Sequence, residues 1–232
     1  MTTAPRVQPG HWFPGRQLLG LTLAASAVCW VCIAWIDRPL ALLLVDLSDT
    51  AAVAFFRSIT NIGHSAIWYG LAGAGLAFSY WRSRIPSATV ATSEWQRRAR
   101  SFMFVIVSMG ASALAVNALK IALGRYRPRF LFTDGIYDFA PFALNIKHVG
   151  FPSGHTQSIV AAMVAFGFLW PRWRYPLWVI AAVVAASRFI TTTHFASDVI
   201  AGAAIAIAMA WILKRYFERG GVMLAWQPRS GS

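Results

Sequence analysis

The chain has 232 residues, 57% of them hydrophobic and only 12% charged, with 21 Lys and Arg against 8 Asp and Glu and a formal net charge of +13. So apolar a composition excludes an ordinary soluble domain and makes lipid the solvent. The basic residues are spread along the chain instead of forming one patch, which argues for membrane topology signals and against a nucleic-acid partner.

Residues 1–16, with Pro5, Pro9 and Pro14, read as an N-terminal tail. Hydropathy then predicts six spans, at 17–36, 64–81, 101–123, 154–170, 177–190 and 195–213, and a C-terminal tail at 214–232. A bilayer leaves no water for unpaired backbone groups, so the expected fold is all-α: a polytopic membrane protein with six transmembrane helices in one bundle over 17–213. The small triplet Ala25, Ser26 and Ala27 does not mark a signal-peptide cleavage site, because the apolar run continues beyond it to Ile36. Cys29 and Cys32, one helical turn apart in that span, read as packing residues.

Between the first two spans, residues 39–60 place apolar side chains at helical spacing among Asp46, Asp49 and Arg57, predicting an amphipathic interfacial helix on the outer surface. His64, at the start of the second span, reads as an interfacial residue that could line an entrance. Residues 82–100 form a polar loop and 124–153 the longest outer loop, where Asp134, Asp138, Lys147 and His148 could select headgroups. Arg125 and Arg129 read equally as headgroup contacts and as generic surface charge. The fifth span covers only about 21 Å at 1.5 Å per residue, short of a core of about 30 Å, so its outer end is expected to be sunken. Thr191, Thr192 and Thr193 then break the helix, letting Arg188 and His194 face each other across a tight turn. Thirteen of the 21 Lys and Arg fall on the side that holds both termini, which predicts cytoplasmic termini.

Three clusters fall at the outer ends of spans three to six. Lys120 and Arg127 with Pro128 are spaced K-x6-R-P. Pro152, Ser153, Gly154 and His155 precede an apolar helix and expose its N-terminal amides, a site that favours an anion. Ser187, Arg188, His194 and Asp198 are spaced S-R-x5-H-x3-D, and the i, i+4 relation puts the Asp198 carboxylate within reach of one nitrogen of His194. This inventory fits phosphoryl transfer. Lys120, Arg127, Arg188, Ser153 and the Gly154 amide would hold phosphate oxygens, His194 would attack phosphorus with Asp198 fixing its tautomer, and His155 would serve as acid and then base.

With all eleven motif positions in place, the sequence resembles the type-2 phosphatidic acid phosphatase superfamily, over Lys120 to Asp198 by motif and over the rest by its span pattern. The resemblance implies dephosphorylation of a membrane lipid phosphate through a phosphohistidine, with no metal and no cofactor. It also implies a multi-pass protein of the bacterial inner membrane with its site on the periplasmic face. The expected substrates are undecaprenyl diphosphate, phosphatidylglycerol phosphate, phosphatidic acid or a lipid A phosphate, and no protein partner is indicated. Lipid-to-lipid phosphotransfer is the nearest alternative and a non-enzymatic lipid transporter a distant one. A vanadium haloperoxidase shares a similar oxyanion pocket but is not expected in a membrane bundle.

Overall fold

The computed structural model describes residues 15–85, 90–142 and 148–226; most of the N-terminal tail, Lys147 and the last residues of the C-terminal tail lie outside them. Helices occupy all six predicted segments: α1 (Gly15–Val31), α4 (Ser65–Arg82), α5 (Thr92–Leu123), α7 (Gly154–Leu169), α8 (Arg174–Ile190) and α9 (Ala196–Arg219). Shorter helices α2 (Asp37–Asp46), α3 (Ala51–Ile59) and α6 (Pro128–Asp134) complete the set, and among the described residues the only β features are isolated bridges. Three rods, Gly15–Asp46, α5 and α9, are long and apolar enough to cross a membrane, and α7 is a shorter apolar helix.

The first rod corrects the expectation of a surface helix over 39–60. Pro39 lacks an N–H for the carbonyl four residues back, and ordinarily this ends or kinks a helix. Here a π-helical turn, Cys32–Ile36, lies just upstream, and the Asp37 N–H reaches five residues back to the Cys32 carbonyl. The extra residue absorbs the mismatch and the rod runs on to Asp46. The separate amphipathic piece is therefore only α3, started by Thr50, whose Oγ1 accepts the Val53 N–H at 3.4 Å. Val53 is buried and Phe55 faces outward, and α3 packs against α8.

α7 is the hub. Every residue from Thr156 to Gly167 is buried, and it packs against α4, α5, α8 and α9. A helix apolar all round is the expected sequence for such a place. Close approach at its N-terminus depends on Gly202 of α9, where a Cβ would lie 2.6 Å from the Ser153 carbonyl oxygen. α8 begins at Arg174, earlier than expected, yet its 17 residues still cover only about 25 Å. α9 runs past 213 to Arg219, after which Val222 and Leu224 are buried and the Trp226 N–H donates to the Leu169 carbonyl at 2.7 Å. Residues 214–226 thus belong to the bundle and are not a separate tail.

Gly202→Ala is expected to lower stability by about 1–3 kcal/mol through overpacking, whereas Gly70→Ala, where a Cβ meets nothing within 4 Å, is not. Thermal unfolding of the two variants in one detergent checks the pair.

Candidate active site

All three sequence clusters meet at one end of the bundle. Lys120 stands in the last turn of α5, where its Nζ donates to the Gly150 carbonyl at 3.2 Å. Gly124, at φ 62°, closes that helix in the left-handed region that glycine adopts without steric cost. The chain then passes through Arg125 to Arg127, stitched to the long loop by Tyr126 N–H to the Asp138 carbonyl and Arg127 N–H to the His148 carbonyl, both 3.1 Å. Pro128 sits at the first position of α6, where a missing N–H does no harm.

At the start of α7, Ser153 is the N-cap: its Oγ accepts from the Thr156 N–H at 3.4 Å and from Thr156 Oγ1 at 3.1 Å. With both bonds accepted, its own hydroxyl proton remains for another acceptor. The Ser153 N–H donates to the Asp198 carbonyl at 2.9 Å, which joins the starts of α7 and α9.

The threonine break forms as predicted. Thr192 lies at φ 52°, and the N–H groups of Thr193 and His194 both donate to the Arg188 carbonyl at 3.1 Å. A β-branched residue in that region is strained, and the turn is held by these bonds with Thr193 Oγ1, which also donates to Arg188 O, at 2.8 Å. His194 precedes α9, so its contact with Asp198 is not made along one helix face as the i, i+4 spacing suggested. Asp198 is the third residue of α9, and its Oδ2 caps the helix by accepting Phe195 N–H at 3.0 Å while lying 3.2 Å from His194 Nδ1. That bond gives Nδ1 the proton and leaves Nε2 as the lone-pair nitrogen. Burial drives the imidazole of His194 down to about 4, helped by Arg127 and Lys120 and opposed by its bond to Asp198.

The cations are poorly compensated. Among the described residues, none of Lys120, Arg127 or Arg188 has a carboxylate within ion-pair distance. Arg127 Nε donates to the Val149 carbonyl at 3.2 Å, and Arg188 donates to Thr60 Oγ1 at 2.7 Å while its buried Nε has no partner. His155, half-buried, lies within electrostatic reach of Arg188, Arg127 and Lys120, so both histidines border the same positive zone. Clustered buried cations without counterions are unfavourable unless an anion completes them.

One residue was misjudged from sequence. Arg125 is not a surface charge: it is 1% exposed and bonded to Asp198, Ser197, Asp37 and Tyr137. His64 is exposed, as an interfacial residue would be, and its ring meets that of His155 edge-on with centroids 4.8 Å apart. The two histidines line a cavity of about 230 Å³ with Ser65, Tyr69 and Asn117. Thr60 was missed, because nothing local marks a threonine that meets an arginine 128 positions away. Asp134 and Asp138 bond to their neighbours Thr133 and Phe139. A larger apolar cleft, about 660 Å³ between α7, α8 and α9, touches none of the motif residues.

Fold and site together define a bundle of apolar, membrane-type helices with clustered cations and histidines at one end. The chain belongs to the PAP2 superfamily, whose family model matches residues 101–221. It is 35% identical over 117 residues to a lipid A 1-phosphatase of Rhizobium johnstonii, covering 50% of this chain and 48% of that protein. A lipid A 1-phosphatase of Rhizobium etli is 31% identical over 125 residues, 54% of each. The matches thus span about half the length of these relatives. Among solved structures, a transmembrane PAP2-type phosphatidylglycerolphosphate phosphatase from Bacillus subtilis superposes with a TM-score of 0.64 at 20% identity, covering 87% of this chain and 96% of that one. This likeness extends the shared fold well beyond the motif region.

Thr60→Val removes the hydroxyl that steadies Arg188 while keeping its volume. Orthophosphate affinity, read by calorimetry, is expected to weaken about fivefold, the equivalent of one hydrogen bond of about 1 kcal/mol.

Proposed function

We propose that the protein is an integral membrane lipid phosphatase that works through a phosphohistidine on His194. The observation that carries this reading is the set of three carboxylate-free cations, Lys120 and Arg188 buried and Arg127 half-buried, around an imidazole whose Nδ1 is tied to Asp198. Such a cage suits the equatorial oxygens of a phosphoryl group in flight.

Lys120, Arg127 and Arg188 bind the phosphate oxygens, with the Ser153 hydroxyl and the first amides of α7, including that of Gly154. Nε2 of His194 attacks phosphorus and the bond from phosphorus to the alcohol oxygen breaks. His155 gives its proton to that oxygen, and the released alcohol leaves on its side. The same imidazole then takes a proton from water, whose oxygen attacks the phosphohistidine and frees inorganic phosphate and His194. Asp198 stabilises the imidazolium character that develops on His194. No step in this sequence draws on a metal or a cofactor.

The two Rhizobium relatives, by their names, put a lipid A phosphate first among the candidate substrates. The cavity beside His155, with Ser65, Tyr69 and Asn117 in its wall, is in keeping with a leaving group that carries hydroxyls. In this reading six helices cross the inner membrane, both termini are cytoplasmic, and the site opens to the periplasm, where a lipid tail stays in the bilayer while its phosphate reaches the sunken end of α8.

Detergent-purified protein offered a panel of lipid phosphates and diphosphates is expected to release orthophosphate in the presence of a chelator and to be inhibited by vanadate. His194→Ala should lose at least about a thousandfold; full activity in that variant, or a strict need for Mg²⁺, overturns the reading. Labelled phosphate appearing on a second lipid instead of in water would make the enzyme a phosphotransferase.

The pH profile is a second check. Attack needs neutral His194, so kcat/KM should fall only as pH drops toward about 4, below the usual imidazole range. A basic limb in kcat should report loss of the proton that His155 holds while the negative charge of the bound phosphate lies beside it. An acid limb that survives unchanged when His194 is replaced in a residually active variant removes its assignment to that residue.

A further inference from the structure

We infer that Arg125 and Asp37 form a positioning pair that locks the Asp198 carboxylate in place and so sets the orientation of His194, extending the catalytic apparatus to the first membrane rod. This rests on the nucleophile assignment above, and neither residue belongs to the three motifs.

The geometry is that of a buried chain of charges. One terminal nitrogen of Arg125 donates to Asp198 Oδ1 at 2.9 Å and to Ser197 Oγ at 2.6 Å; the other donates to Tyr137 Oη at 2.8 Å and lies 3.0 Å from Asp37 Oδ2. Asp37 in turn accepts the Ser197 N–H at 3.1 Å and the Ser197 hydroxyl. Asp198 thus has one oxygen fixed by Arg125 and the other shared by His194 and the Phe195 N–H, which leaves it no freedom to rotate. The Arg125 guanidinium also lies over the Phe195 ring at 4.2 Å, beside the nucleophile. With side chains 0–1% exposed on both sides of each ion pair, solvent screening is absent and either partner alone would be a costly buried charge.

A second observation is independent of these bonds. The π-helical turn that carries the first rod past Pro39 also delivers Asp37 to this spot, and the long loop answers it: Tyr137 Oη donates to the Ile33 carbonyl inside the turn at 2.6 Å. π turns recur where a helix must aim one side chain at a site. The segment of loop and the rod are thereby joined around one guanidinium.

Charge balance gives the pair a kinetic signature. His194 is faced by Asp198 from α9, Arg127 from the segment after α5 and Lys120 from α5; beyond them Asp198 is faced by Arg125, Cys29 from α1 and Tyr137 from the loop, and Arg125 by Asp37 from α2. Arg188 and His155 border the phosphate side. Removing Arg125 leaves Asp198 unneutralised beside the imidazole and Asp37 unneutralised behind it, which favours protonation of His194. Removing the charge of Asp37 leaves Arg125 wholly to Asp198 and does the opposite.

The test compares Arg125→Gln, Arg125→Lys and Asp37→Asn with wild type by lipid phosphate release, after confirming a monodisperse, folded preparation of each. Arg125→Gln should lower kcat by about 10-fold to 100-fold with KM nearly unchanged, and its acid limb should move to higher pH; Arg125→Lys should recover part of the loss. Asp37→Asn should lower kcat less, with an acid limb at or below that of wild type. The inference is overturned if folded variants keep wild-type kcat, if the loss lies in KM alone, or if both variants move the acid limb the same way. Should Arg125→Gln not fold, Asp37→Asn decides by the same criteria. An enzyme abolished by His194→Ala but indifferent to Arg125 and Asp37 refutes only the pair, whereas activity that survives His194→Ala refutes the nucleophile on which it rests.

Discussion

The carboxylate of Asp198 is the constraint on which the rest of the site depends. It is wholly buried, and each of its oxygens is committed: one to Arg125, the other to His194 and the start of α9. Lys120, Arg127 and Arg188 stand near it without a carboxylate at ion-pair distance among the described residues. In the proposed reading, the same carboxylate aims the attacking nitrogen while the excess of positive charge receives the phosphate. Gly150 shows how closely this is built, since a Cβ there would lie 2.9 Å from Asp198 Oδ2 and 3.4 Å from Arg127 Cγ. Only the absence of a side chain lets the loop carbonyls reach Lys120 and Arg127 beside that carboxylate.

The bundle supplies the frame because its helix ends coincide. α5 and α8 arrive at this end and α7 and α9 leave from it, so two C-terminal turns contribute Lys120 and Arg188 while two N-terminal turns contribute amides and the cap residues Ser153 and Asp198. N-terminal helix ends favour negative charge, and here they meet both a resident carboxylate and the proposed phosphate. In the proposed reading, the shortness of α8 sets its end, and the threonine turn after it, below where a full-length span would emerge.

Much of this was legible in the chain. The six apolar segments gave the helices, the threonine run gave the turn between α8 and α9, and the spacing of Lys120, Arg127, His155, Arg188, His194 and Asp198 brought them to one end. The features that escaped are those set by contacts between distant positions. Arg125 stands two residues from a motif arginine in an outer loop, and nothing in that neighbourhood shows that its partners are Asp37 on the first rod and Asp198 on the last. Pro39 reads as the start of a new surface helix because the π turn that accommodates it leaves no mark in hydropathy. His64 and Thr60 join the site through the fold of the segment before α4, which periodicity describes only as interfacial.

The placement of Arg125 also bears on why a charge network lies beneath an apolar shell at all. Replacing a buried ion pair by apolar residues commonly leaves stability unchanged or improves it, so stability alone is a weak reason for Asp37 and Arg125. Geometry is a stronger one. A histidine nucleophile with a freely rotating carboxylate behind it would spend part of its time with the wrong nitrogen protonated or turned from phosphorus. Fixing that carboxylate needs a donor that is charged, planar and forked, which only arginine provides, and a buried arginine needs a second carboxylate to balance it. Asp37 fills that place, and the turn that accommodates Pro39 in the first rod also brings it there.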